Sequence, residues 1–105
     1  MGAATFVNVT EGKDAKQAFA KARDAAAWEN GHGGYTGTIA EKREFVMIDP
    51  KKDGADTTDW SHVNYEEYAY SLINESDPRV DDKWGPAGCI QLSDREFLFF
   101  GWASS

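Results

Sequence analysis

The stretch Phe97-Leu98-Phe99-Phe100-Gly101-Trp102-Ala103 decides how this chain is to be read. A strand with one wet face alternates apolar and polar residues, whereas here consecutive side chains are apolar. Both faces therefore need cover, which places the strand inside a sheet and not at its edge.

Working outward, Gly88-Cys89-Ile90-Gln91-Leu92 reads as the preceding strand, turned by Ser93-Asp94-Arg95-Glu96 into an antiparallel hairpin with the last one. Near the other end, Thr5-Phe6-Val7-Asn8-Val9-Thr10 is β-branched and aromatic and predicts a short strand. Asp14 stands in capping-box spacing to Gln17, and Ala18, Phe19, Ala22, Ala25 and Ala26 recur at three and four. This predicts an amphipathic helix with an alanine-rich face, ending near Asn30-Gly31. A second helix is predicted from the Asn64 and Glu67 capping box and the stripe Tyr65, Tyr68, Ala69, Leu72 and Ile73, with Asp77-Pro78 as its stop. Between the helices, residues 35–42 and 44–48 read as two strands of a hairpin, and residues 49 to 62 as a long, mobile polar loop.

The order strand, helix, strand, strand, helix, strand, strand defines an α+β protein. The expectation is one domain over residues 1–105, with an antiparallel or mixed sheet of about five strands and two helices packed on one face. That arrangement carries a tension, because helices on one face leave half of the 97–103 side chains uncovered. Either the 49–63 loop or a partner is then needed on the second face.

The chain has 105 residues, 41% of them hydrophobic, which suffices for a core and argues against disorder. Eighteen acidic against eleven basic side chains give a net charge of −7. Nucleic-acid binding needs a concentrated positive patch, and nothing is denser than Lys42-Arg43 or Lys51-Lys52, so direct DNA or RNA contact is not expected. The acidity suits a protein partner with a basic surface, whose approach it would accelerate, or simply a well-solvated exterior. The single Cys89 excludes an internal disulfide and fits a reducing compartment. No apolar run has membrane-spanning length and no leader pattern opens the sequence, so a cytoplasmic protein without membrane contact is expected.

Candidate chemistry is sparse. The glycine-rich segment Gly31-His32-Gly33-Gly34 leads from helix to predicted strand, the reverse of a phosphate-cradling loop. It is either a helix cap and tight turn or a small-anion loop, with backbone N–H groups flanked by Tyr35, Thr36, Thr38 and Glu41. His32 and His62 lack the spacing of a metal pair, and Asp49, Asp53 and Asp56 fail as a calcium loop because Lys51 and Trp60 occupy ligand positions. No metal or other cofactor is expected. Cys89 with a histidine as base, or Glu41 with Glu44, are the conceivable catalytic groups, although a cysteine inside an apolar strand usually serves as a small hydrophobe. Four tryptophans are many for so small a core, and Trp60 and Trp84, the latter beside Asp82, lie in polar loops. Such aromatics either anchor an interface or fold back as lids.

The segments Gly34-Tyr35-Thr36-Gly37-Thr38-Ile39-Ala40-Glu41-Lys42 and Trp84-Gly85-Pro86-Ala87-Gly88-Cys89-Ile90, with the ending Phe99-Phe100-Gly101-Trp102-Ala103, resemble those of small proteins encoded by bacteriophages and related mobile elements. That resemblance brings no catalytic residues with it. It implies an accessory factor in the host cell cytoplasm that binds and disables a host protein, such as a defence component or a nucleic-acid-binding protein. Three functions follow as expectations. The first is a non-enzymatic acidic binder of a host protein, using His32, Gly33, Gly34, Tyr35, Thr36, Thr38, Glu41, Trp60, Asp82 and Trp84. The second is a nucleotide or anion binder built on the 31–42 loop, and the third a small enzyme using Cys89 with a histidine, or Glu41.

Overall fold

The structure, a computed structural model, describes residues 2–30 and 34–105. Its elements are β1 (Ala3–Glu11), α1 (Ala15–Asn30), a 3₁₀ turn (Ile39–Glu41), β2 (Phe45–Met47), α2 (His62–Asn74), β3 (Ala87–Gln91) and β4 (Glu96–Ser104). The four strands form one mixed sheet in the order β1-β4-β3-β2. β4 pairs antiparallel with β1 along its whole length, from Ala3 opposite Ser104 to Glu11 opposite Glu96. It also pairs antiparallel with β3, while β2 and β3 are parallel. The three other strands therefore run one way and β4, between β1 and β3, runs against them.

The α+β class and the mixed sheet agree with the sequence, and the run 97–103 is the interior strand it was read to be. Its side chains alternate between two cores. Phe97, Phe99 and Ala103 join Phe6, Cys89, Ala18, Phe19 and Ala22 under α1. Leu98 and Phe100 join Ile90, Val80, Ala69, Leu72 and Ile73 under α2. Each large apolar side chain so enclosed contributes about 2 kcal/mol.

The helices thus lie on opposite faces, not together on one, and this removes the need for a loop or partner over the second face. The reason is topological. Connections between parallel strands are right-handed in nearly all proteins. The β1-to-β2 connection crosses the sheet in one direction and the β2-to-β3 connection returns in the other, so a common hand puts α1 and α2 on opposite sides.

Four strands stand where about five were expected, because residues 35–42 do not extend. Tyr35 and Gly37 have φ of 58° and 71°, outside the range of a strand. Thr38 then caps the 3₁₀ turn by accepting from the Ala40 N–H at 3.2 Å. The first helix starts as read: Asp14 Oδ1 accepts from the Gln17 N–H at 2.8 Å and Gln17 Oε1 from the Lys13 N–H at 2.7 Å. The second starts earlier, at His62, where Asn64 Oδ1 accepts from both the N–H and the hydroxyl of Ser61.

Two glycines permit the close packing around β4. Gly101, with φ of 148°, holds a conformation side chains rarely adopt, and the Phe6 ring lies beside the place its Cβ would take. At Gly88 a Cβ would come within 2.6 Å of Phe100 Cζ and 2.8 Å of Val80 Cγ1, so the absence of a side chain makes room for that ring. Gly88→Ala is expected to destabilise the protein by about 1–3 kcal/mol through overpacking. The check is a lowered urea midpoint with an unchanged slope, and an unchanged midpoint would contradict this packing.

Candidate functional site

The residues singled out between 34 and 42 meet those of the 82–85 loop at one surface, and the group that joins them is a buried lysine. In the 3₁₀ turn, Ile39 points into the α1-side core while Lys42, which closes the turn, is only 1% exposed. An ammonium group is costly to bury unless all its protons find acceptors. Here three carbonyls serve: Lys42 Nζ donates to Gly85 O at 2.9 Å, Lys83 O at 3.2 Å and Asp82 O at 3.3 Å. Burial lowers the Lys42 pKa from its ordinary value, and the Asp82 charge opposes that shift.

Both sides of this joint are braced. Thr36 donates through its N–H (3.1 Å) and its hydroxyl (2.7 Å) to Glu41 Oε2, and the Thr38 hydroxyl lies 2.8 Å from that of Thr36. Burial pushes the Glu41 carboxyl upward, but these bonds, with the charge of Arg23 nearby, outweigh it and hold the pKa below the ordinary carboxylate value. Across the joint, Asp82 Oδ1 accepts from the Trp84 N–H at 2.8 Å, and Asp82 O from the Gly85 N–H at 2.9 Å. The outcome is a firm base beneath two exposed rings. Tyr35 and Trp84 meet edge to face at 6.2 Å between centroids, 53% and 66% exposed, with the Lys83 ammonium 5.4 Å from the indole.

Tyr35 takes its place at a cost. Its φ of 58° puts a bulky side chain in the left-handed region, worth about 1–2 kcal/mol of strain. Such strain persists where the surroundings enforce it, and it concentrates at functional positions.

Of the residues named from sequence, Gly34, Tyr35, Thr36, Thr38, Glu41, Asp82 and Trp84 share this surface; His32 and Gly33 lie outside the described residues. Trp60 is elsewhere. It packs at 5.1 Å on Tyr65 and 5.7 Å on Tyr68, a lid over α2. The loop carrying it is pinned rather than loose: Arg79 donates to Asp53 at 2.9 and 3.2 Å and to Asp77 at 2.9 Å, and the Tyr68 hydroxyl donates to Asp53 at 2.7 Å. Burial, then the Asp53 carboxylate, raises the Tyr68 phenol to about 12.

The same geometry bears on the other two readings. An internal anion, the Glu41 carboxylate, takes up the Thr36 donors that a small anionic ligand would use in the 34–42 segment. A groove of about 560 Å³ opens at the carboxyl ends of β2 and β3, where Lys51 and Lys52 are accompanied by Asp49 and Asp94. The mixed charge selects no ligand class. Cys89 is fully buried and its thiol is pushed up to about 12 by burial, so it carries no thiolate near neutral pH. His62 Nε2 lies 3.2 Å from Glu96 Oε2, at the start of α2 on the other side of the sheet. Among the described residues no group of three or more His, Cys, Asp or Glu side chains could hold a metal ion, and no helix is long and apolar enough to cross a membrane.

Lys42 is the residue that sequence reasoning missed. Beside Arg43 it resembles a solvated turn pair, and its acceptors come forty and more positions later in the chain. No protein-family model, curated protein or solved structure matches the chain.

Lys42→Met keeps the stem but leaves the Lys83 and Gly85 carbonyls without their donor, while Asp82 O keeps the Gly85 N–H, and is expected to destabilise the fold by about 3 kcal/mol. For a domain of this size that corresponds to a fall in Tm of roughly 12–24 °C. Lys83→Met should leave Tm within about 3 °C, because its half-buried side chain makes a single exposed hydrogen bond, to Gly2 O at 3.2 Å, whose loss water can replace. Equal melting of the two variants would remove Lys42 as the joint.

Proposed function

We propose that this chain is a non-enzymatic binding protein that engages another protein through the Tyr35–Trp84 surface. The observation that carries the reading is the pair of exposed rings, one held in a strained backbone conformation, on a base already fixed by hydrogen bonds. Rigid aromatic anchors lose little entropy on binding and supply much of the affinity of protein interfaces. The net charge of −7 suits a partner with a basic surface, and complementary potential would raise the association rate. With the resemblance to small phage-encoded proteins, the reading becomes an accessory factor acting in the host cytoplasm on a host protein, of the defence or nucleic-acid-binding kind. The engaged donors around Glu41 and the inert Cys89 favour it over the ligand-binding and enzymatic alternatives.

The test is capture of the partner from host lysate, identification by mass spectrometry, and titration of the purified partner with variants. Trp84→Ala should weaken binding by about 30-fold or more, the effect of losing a central aromatic anchor. Tyr35→Gly removes the ring and the strain together, so its stability should stay within about 1 kcal/mol of the parent while binding falls. Raising the salt should slow association. If both variants bind as tightly as the parent, this surface is not the binding site.

A further inference from the structure

The two edges of the sheet are unlike. β2 spans only three residues, Phe45–Met47, and is followed within a few positions by Pro50, Lys51 and Lys52, features that discourage strand addition. β1 spans nine residues, Ala-Ala-Thr-Phe-Val-Asn-Val-Thr-Glu, with no proline, lysine or arginine. Its inner side pairs with β4, and on its outer side no residue from Ala3 to Glu11 has a hydrogen-bond partner among the described residues. A long, regular edge with its N–H and C=O groups unpaired is a template for another strand. Beside it runs a groove of about 420 Å³, whose α1 wall is made of Ala22, Ala25 and Ala26, with Glu29 and Asn30 at the helix's carboxyl end.

We infer that the occupant of this edge is a second copy of the same chain, joined β1 to β1 in antiparallel fashion about a twofold axis at Val7. In the register that overlaps all nine residues, Val7 meets its own mate, Thr5 faces Val9, Phe6 faces Asn8, Ala4 faces Thr10 and Ala3 faces Glu11. Glu11 is the one charged residue of the strand, and it meets an alanine, so no like charges oppose one another. The β-branched contacts cover Val9, which is 38% exposed in the single chain.

The helices fit the same symmetry. An axis perpendicular to the sheet keeps α1 of both copies on one face. α1 packs over β1 and β4, so with strands about 4.8 Å apart the two helix axes would stand roughly 10 Å from each other. That is the upper end of helix packing distances, and the alanine flanks permit it. About eight to ten hydrogen bonds would form across the new ladder. A nine-residue edge is about 30 Å long; with a sheet and a helix layer it would bury on the order of 1,000 Å² in total, the lower bound of a specific interface.

Each copy carries a net charge of −7, so this association should tighten as salt is raised, the reverse of the salt effect expected for a basic partner. The inference does not rest on the partner proposed above. The experiment is sedimentation equilibrium of the full chain from about 10 µM to 1 mM at low and high salt, with the amide exchange of β1 followed in parallel. The parent should approach twice the 11.6 kDa chain mass, more readily at high salt, with outward β1 amides slowing as concentration rises. The variant Thr5→Lys/Val9→Lys sets like charges across the axis at two exposed positions and should remain monomeric, with the parent's urea midpoint when both are compared at a concentration where the parent is also monomeric. Should it unfold instead, the concentration dependence of parent β1 exchange decides alone. A parent that is monomeric throughout overturns the inference, as does a folded double variant that dimerises like the parent. So does a β1 edge that is protected only when a different protein is added.

Discussion

The fold depends on burying both faces of one strand. Phe97, Leu98, Phe99 and Phe100 are each no more than 3% exposed, and successive members feed separate cores. A strand of this kind cannot be served from one side. β4 therefore lies between β1 and β3, and the chain must bring a helix to each face, which it does by crossing the sheet once in each direction. Gly88 belongs to the same requirement, since a Cβ there would collide with the Phe100 ring, whereas Gly101 answers a backbone one, its φ of 148°.

The surface at Tyr35 and Trp84 follows from a second constraint, the hydrogen-bond capacity of an ammonium group. Once Lys42 is drawn below the surface by the 3₁₀ turn, three acceptors have to surround it, and the carbonyls of residues 82, 83 and 85 are gathered for that purpose. Two loops distant in sequence become one rigid unit with Tyr35 on one and Trp84 on the other. Rigidity of this origin leaves the aromatic rings exposed without leaving them loose, the combination that a binding anchor needs.

What could be read from the sequence, and what could not, divides along the range of the interactions. The status of β4 was legible because seven consecutive residues suit burial, and both helices were legible from apolar residues at three and four. The extra strand expected at 35–42 failed because Thr and Ile propensity gave way to two residues in the left-handed region and a threonine cap. The faces taken by the helices depend on strand order, which local pattern does not contain. Trp60 and Trp84 sit in similar polar contexts, yet the first folds onto Tyr65 and Tyr68 because Arg79 fastens its loop, and the second stays out. The clustering of Tyr35, Thr36, Thr38, Glu41, Asp82 and Trp84 was expected only in part, since the lysine that unites them pairs with groups forty residues away.

Native-state hydrogen exchange tests the central claim most directly. If β4 is the doubly covered strand on which both cores are built, the amides of Phe97 to Trp102 that bond to β1 and β3 should exchange only through global unfolding, with the free energy measured by urea denaturation. Those of β2 and the 49–61 loop should open at lower free energy. Protection in β4 no greater than in β2, or β4 amides that exchange through local opening, would contradict the account.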